Sequence, residues 1–140
     1  MTFRFIAILT AIATMAQGQV YVSAPAGGVG SLACDGSASL SITTTTTTQA
    51  IALQAGKSIY VCGFVINSGG TATVRLVQGT GINCATGVSD LTPPFSLNNG
   101  ATIPFGGGVG RVLKTNAGSA LCVATGSNAD VRVLISYTVF

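Results

Sequence analysis

Short apolar segments separated by turn residues constrain the fold of this chain more than any other feature. Residues 57–66 and 131–140 are rich in Val, Ile, Tyr and Phe, which favour strands. Clusters of Gly, Asn and Ser separate these segments from one another. No segment has a convincing helical period. About eight short strands of this kind predict an all-β protein, a jelly-roll-like antiparallel β-sandwich.

Alternation of side chains along two of the predicted strands indicates which residues face the core. Successive side chains of a strand point to opposite faces. In residues 71–78 this period places Ala72, Val74 and Leu76 inward. In residues 131–140 it places five apolar side chains on one face: Val131, Val133, Ile135, Tyr137 and Val139.

Two pairs of segments are predicted to form β-hairpins. Residues 57–66 and 71–78 are joined by Asn-Ser-Gly-Gly, whose residues tolerate positive φ. Residues 95–97 and 101–105 are joined by Asn-Asn-Gly, which suits a type I′ turn. We therefore expect each pair to lie side by side in one sheet.

Segment 57–66 is apolar on both of its expected faces. One face carries Ile59, Val61 and Val65, and the other carries Tyr60, Cys62, Phe64 and Ile66. A sandwich sheet normally buries one face, so we expect the second face to be covered by another copy of the chain or by the N-terminal arm. Charged side chains are few, and large uncharged patches usually mark interfaces. The sequence therefore predicts a homo-oligomer.

The N-terminus is typical of a secretory signal peptide. Arg4 precedes an apolar run of 12 residues, 5–16, whereas a membrane span needs about 20. Small residues at positions 16 and 18 favour cleavage before Gln19, and cleavage before Gln17 is the alternative. No other stretch is long and apolar enough to span a membrane.

These features divide the chain into three parts. Residues 1–18 are the predicted signal peptide, residues 19–38 a flexible N-terminal arm, and residues 39–140 the β-sandwich domain. The run of six threonines at 43–48 is either strand or polar linker. The expected location is extracellular, secreted or periplasmic, with a virion surface as the alternative.

Four cysteines lie in the predicted mature part: Cys34, Cys62, Cys84 and Cys122. An even number in an exported chain implies disulfides, and four cysteines allow three connectivities. Pairing in chain order closes the shortest spans, which costs least loop-closure entropy. A bridge between Cys62 and Cys122, as a staple between the sheets, stays open as the alternative.

The side-chain inventory excludes much chemistry. The chain has no His and no Glu, and its acids are Asp35, Asp90 and Asp130. No cysteine pair has the CxxC spacing of zinc or redox sites. We predict no catalytic residue, no metal and no cofactor. An enzyme would need Asp90 or Asp130 beside Lys57 or Lys114.

Basic residues do not form the footprint of a nucleic-acid-binding protein. The formal net charge is +3, but the bases are scattered along the chain except for Arg111 and Lys114. Nucleic-acid affinity scales with the number of phosphates neutralised, so binding proteins concentrate Lys and Arg on one face. We therefore predict no nucleic-acid partner, and the sequence indicates no particular ligand.

Four short stretches carry a family resemblance: residues 59–64, 79–87, 120–122 and 136–140. They resemble small, mostly uncharacterised β-proteins of phages and of bacterial genomes that carry phage genes. The resemblance covers residues 39–140 and rests on cysteine spacings and turns. It implies a jelly-roll-like virion-surface, decoration or fibre domain that is usually oligomeric, with a trimer favoured.

Together these observations predict a non-catalytic secreted or virion-surface structural protein that self-associates. The alternative is a secreted ligand-binding or adhesive β-sandwich module that uses loops such as residues 97–110.

Overall fold

The computed structural model describes residues 33–106 and 110–140. Within these residues the chain forms ten strands and one short 3₁₀ turn, Ile82–Cys84. The strands are β1 (Gly36–Ile42), β2 (Thr47–Ile51), β3 (Ile59–Ser68), β4 (Ala72–Thr80), β5 (Thr86–Asp90), β6 (Phe95–Leu97), β7 (Thr102–Phe105), β8 (Leu113–Lys114), β9 (Ala120–Thr125) and β10 (Val131–Val139).

The strands form two five-stranded antiparallel sheets that pack face to face. Sheet A has the order β1-β10-β3-β7, with β8 also paired to β3. Sheet B has the order β2-β9-β4-β5, with β6 also paired to β4. The predicted all-β antiparallel sandwich is therefore confirmed.

The core lies between the two sheets, and the alternation predicted from the sequence describes it well. Ala72, Val74 and Leu76 of β4 are buried in it, while Thr73 and Arg75 face outward and are exposed. All five predicted inward residues of β10 are buried in this core or pack against it. Apolar burial of this kind is the main stabilising contribution to the sandwich.

Neither predicted hairpin forms. β3 belongs to sheet A and β4 to sheet B, and β6 and β7 are divided in the same way. The segment between β3 and β4 crosses from one sheet to the other, and its Gly69 N–H donates to the Asp130 carbonyl at 2.8 Å. The turn between β6 and β7 likewise bonds to another strand, since Gly100 N–H donates to the Ser68 carbonyl at 2.7 Å. Each pair thus forms an arch across the core, because both of its strands have an apolar face to bury.

A β-bulge in β3 corrects the expectation that this strand is apolar on both faces. Tyr137 of β10 lies opposite Val61, but the preceding Ser136 lies opposite Gly63. Cys62 is therefore an extra residue without a partner in β10, and it inverts the alternation that follows it.

The inversion gathers the apolar side chains of β3 on the inner face. Four of them are buried in the core, two before the bulge and two after it: Ile59, Val61, Phe64 and Ile66. Val65 is left on the outer face with 37 % of its surface exposed. A second layer over the whole strand is therefore not needed.

Both disulfides pair the cysteines in chain order. Cys34 bonds to Cys62 and Cys84 bonds to Cys122, with 6.3 Å between the Cα atoms in each pair. The first bridge joins the segment before β1 to β3, within sheet A. The second fixes the 3₁₀ turn to β9, within sheet B. The alternative staple between the sheets, from Cys62 to Cys122, is therefore wrong.

Only some of the predicted parts of the chain lie within the residues that the structure describes. The signal peptide and arm residues 19–32 lie outside the described residues. The last three arm residues, 36–38, belong to β1, which pairs with β10. Of the threonine run, Thr47 and Thr48 lie in β2 and the four before them form a loop. In the described part of the chain, no helix has the length and apolar character to cross a membrane.

Candidate interaction surfaces

A small second core covers part of the outer face of sheet B. Its buried members are Val77, Cys84, Ala120, Cys122 and Ala124. The Cys84–Cys122 bridge holds the 3₁₀ turn over this face, and Gln49 N–H donates to Asn83 Oδ1 at 3.0 Å. Asn83 and Cys84 have φ of 52° and 57°, a region that non-glycine residues seldom adopt. The disulfide bridge and the hydrogen bond to the Asn83 side chain hold the turn in this conformation.

Gly79 allows the turn to lie against β4. A Cβ atom at this position would lie 2.9 Å from the Cys84 Cβ and 3.0 Å from the Thr86 carbonyl oxygen. Glycine is therefore required for the close approach. As a result, this part of sheet B presents a loop to solvent rather than an open sheet face.

The outer face of sheet A carries a row of residues with apolar side chains at its centre, which we name the apolar row. Ser39, Leu134, Val65 and Pro104 lie side by side across β1, β10, β3 and β7. Leu134 is 52 % exposed and Val65 37 %. A shallow groove of about 450 Å³ follows the first three of these strands.

The groove is electrically neutral. Arg132 Nη2 lies 2.9 Å from Asp130 Oδ2, and Ser41 Oγ donates to Asp130 Oδ1 at 3.2 Å. Asp130 and Arg132 thus border the apolar row, and their opposite charges cancel. The face therefore offers apolar contact without net repulsion of a similar surface.

Asp90 and Asp130, the two candidate catalytic acids, each contact an arginine. Asp90 Oδ2 lies 3.1 Å from Arg75 Nη1, and Asp130 pairs with Arg132. Neither forms a salt bridge with Lys57 or Lys114 within the described residues. Residues 33–106 and 110–140 contain no group of three potential ligands that could hold a metal ion.

A crevice of about 280 Å³ on sheet B is lined by threonines, among them Thr45, Thr46, Thr47 and Thr73. Several hydroxyls around it already donate within the protein. Thr45 Oγ1 donates to Asn128 Oδ1 at 3.1 Å, and Thr125 Oγ1 donates to the Thr44 carbonyl at 2.8 Å. The threonine run thus serves to fold the loop onto β9.

Basic and aromatic side chains meet near the N-terminal end of β3. The guanidinium carbon of Arg111 lies 4.3 Å from the Tyr60 ring centroid, and Lys114 Nζ lies 5.4 Å from it. The Phe140 ring meets Tyr60 edge-on, with 6.2 Å between centroids. We name these four residues the Tyr60 cluster. Arg111 and Lys114 stand out in the sequence as neighbouring bases, but no sequence pattern indicates that they share an aromatic partner.

Comparisons with models of protein families, with curated proteins and with solved structures find no match to this chain. Functional inference therefore depends on the surfaces described above.

Proposed function

We propose that this chain is a non-catalytic secreted or virion-surface structural protein that self-associates through the outer face of sheet A. The observation that carries the proposal is the apolar row, in which Leu134 exposes 52 % of its surface at the centre of a regular sheet. Exposed apolar surface of this kind is typical of interaction sites.

A second copy of the chain is the partner that the charge distribution favours. The Asp130–Arg132 pair leaves the face neutral, so its net charge repels no surface of a second copy. Homo-oligomers usually adopt closed symmetry. A cyclic trimer, which the family resemblance favours, would set the apolar row of each copy against a different surface of the next copy.

The strand order supports assignment of the sandwich to the jelly-roll class. Strand pairs nest within one another along the chain: β1 with β10, β2 with β9, β3 with β7 and β8, and β4 with β5 and β6. A chain folded into one long antiparallel pair of strands and then wrapped around a core, as in a jelly roll, has this nested pairing. Jelly rolls occur in viral capsid proteins and in lectins, and the first of these roles agrees with a self-associating surface protein.

Substitution of Leu134 by lysine is expected to weaken self-association by at least about tenfold, because each interface would then bury an unpaired charge. Sedimentation velocity across a concentration series measures the effect. Ile82→Lys is the matched control, since Ile82 is 84 % exposed but lies on the 3₁₀ turn of sheet B. Equal weakening by both substitutions would show that added charge, rather than this face, controls association.

Export is a separate part of the proposal. Two structural disulfides agree with an oxidising compartment. Residues 1–18 fused to a cytoplasmic reporter are therefore expected to direct its export and to be cleaved after Gly18 or after Ala16. Cell fractionation and mass spectrometry of the reporter measure both events. Full-length fusion retained in the cytoplasm would contradict this prediction.

A further inference from the structure

The Tyr60 cluster is positioned by the backbone of sheet A. Lys114 lies directly opposite Tyr60 in the pairing of β8 with β3. Val112 N–H donates to the Val61 carbonyl at 2.8 Å, which fixes the segment next to Arg111. The last residue of the chain is also held, since Phe140 N–H donates to the Ser58 carbonyl at 3.1 Å. The side chains of the cluster are therefore brought together before any ligand binds.

The positive charge of the cluster has no acidic partner among the described residues. Asp90 and Asp130 are paired with Arg75 and Arg132. No described salt bridge includes Asp35, Arg111 or Lys114, and the residues outside the description contain no Asp or Glu.

The backbone oxygen of Phe140 accepts a hydrogen bond from Ser58 N–H at 2.6 Å, and no described salt bridge joins this terminus to Arg111 or Lys114. Two like charges therefore share one ring, and the π face of Tyr60 offsets them only in part. An anion from outside the protein would complete the arrangement.

The geometry indicates which anion fits. A guanidinium stacked on an aromatic ring keeps its N–H edge free, and this edge matches the paired oxygens of a carboxylate, sulfate or phosphate. Lys114 supplies a second donor. Beside them Phe140 is 55 % exposed, an apolar surface for the organic body that carries the anionic group. Two cations suit a single anionic group rather than the row of phosphates of a nucleic acid.

We propose that the Tyr60 cluster binds the oxyanion group of an acidic saccharide. Arg111 and Lys114 hold the anionic group, Tyr60 orients Arg111, and Phe140 contacts the C–H face of the sugar ring. This site shares no residue with the apolar row, so its test does not require self-association.

The test is a titration of the ¹⁵N-labelled full mature chain, followed by the amide chemical shifts at constant ionic strength. The probes are trigalacturonate, inorganic sulfate and uncharged maltotriose. Trigalacturonate is expected to shift the amides of Tyr60, Lys114 and Phe140 in a saturable way. Sulfate is expected to bind the same amides more weakly, and maltotriose is expected to leave them unchanged.

Variants distinguish this site from a general effect of charge. Arg111→Gln is expected to weaken trigalacturonate binding by at least about tenfold, through loss of charged hydrogen bonds. Arg75→Gln removes the same charge from an exposed arginine of sheet B that already has an acidic partner, and it is expected to change affinity less than about twofold. The unperturbed part of each spectrum shows that the variant is folded.

Four results would overturn the proposal. Equal weakening by Arg111→Gln and Arg75→Gln would show a response to net charge alone. Sulfate binding as tight as trigalacturonate binding would remove the saccharide from the proposal. Absence of saturable shifts at the cluster, or equal binding of maltotriose, would remove the oxyanion site itself.

Discussion

Replacement of Cys84 and Cys122 together by alanine is expected to lower the free energy of unfolding by about 4 kcal/mol, the loop-entropy value for a span of this length. The bridge closes a span of 38 residues, so its loss frees a large part of the unfolded chain. It also holds the 3₁₀ turn over Val77, whose side chain is fully buried. Chemical denaturation followed by circular dichroism measures the loss, since the chain has no Trp.

The matched control is replacement of Cys34 and Cys62 by alanine. Their span of 28 residues is shorter, and closure entropy depends only on the logarithm of span length. The expected loss is therefore similar, about 3.5 kcal/mol. A loss below about 1 kcal/mol for Cys84 and Cys122 would show that this bridge adds little to the folded sandwich.

Substitution of Ile66 by alanine is expected to cost about 3 kcal/mol, whereas Val65→Ala should cost less than about 1 kcal/mol. Ile66 is completely buried in the core and Val65 lies on the outer face with 37 % of its surface exposed. The difference tests the bulge at Cys62 directly. With uninterrupted alternation, Val65 would share the inner face with Ile59 and Val61. A greater cost for Val65→Ala, measured by the same denaturation, would contradict the register that we describe.

Sequence periodicity predicted the strands that bury one face but not the way in which they pair. β4 and β10 alternate between buried and exposed positions over their first five residues, so most of their inward residues were predictable. The Gly-rich and Asn-rich turns after β3 and β6 suit a hairpin and an arch equally well. Only the packing of both neighbouring strands into opposite sheets decides between them, and this is a tertiary effect.

The bulge in β3 and the edge strand β5 could not be predicted from the sequence, for different reasons. Cys62 is one apolar residue in an apolar run, so nothing marks it as the extra residue. β5 is exposed at every position, so no apolar pattern marks it as a strand. β5 is a strand because its backbone pairs with β4, where Val77 and Gln78 lie opposite Asp90 and Ser89.

The interaction surfaces were predictable only in part. Low charge and high apolar content indicated an exposed apolar surface, but the sequence placed it on β3. The bulge turns most of that strand inward, and Leu134 of β10 becomes the largest side chain of the apolar row. Arg111 and Lys114 stood out as neighbouring bases, whereas their contact with Tyr60 depends on the pairing of β8 with β3.

Self-association is the central claim, and the mass of the mature protein in solution tests it most directly. Sedimentation velocity of residues 19–140 over a concentration series, at physiological salt, is the measurement. We predict a species whose mass is a small multiple of the monomer, with a trimer favoured. A monodisperse monomer at high micromolar concentration would contradict the claim.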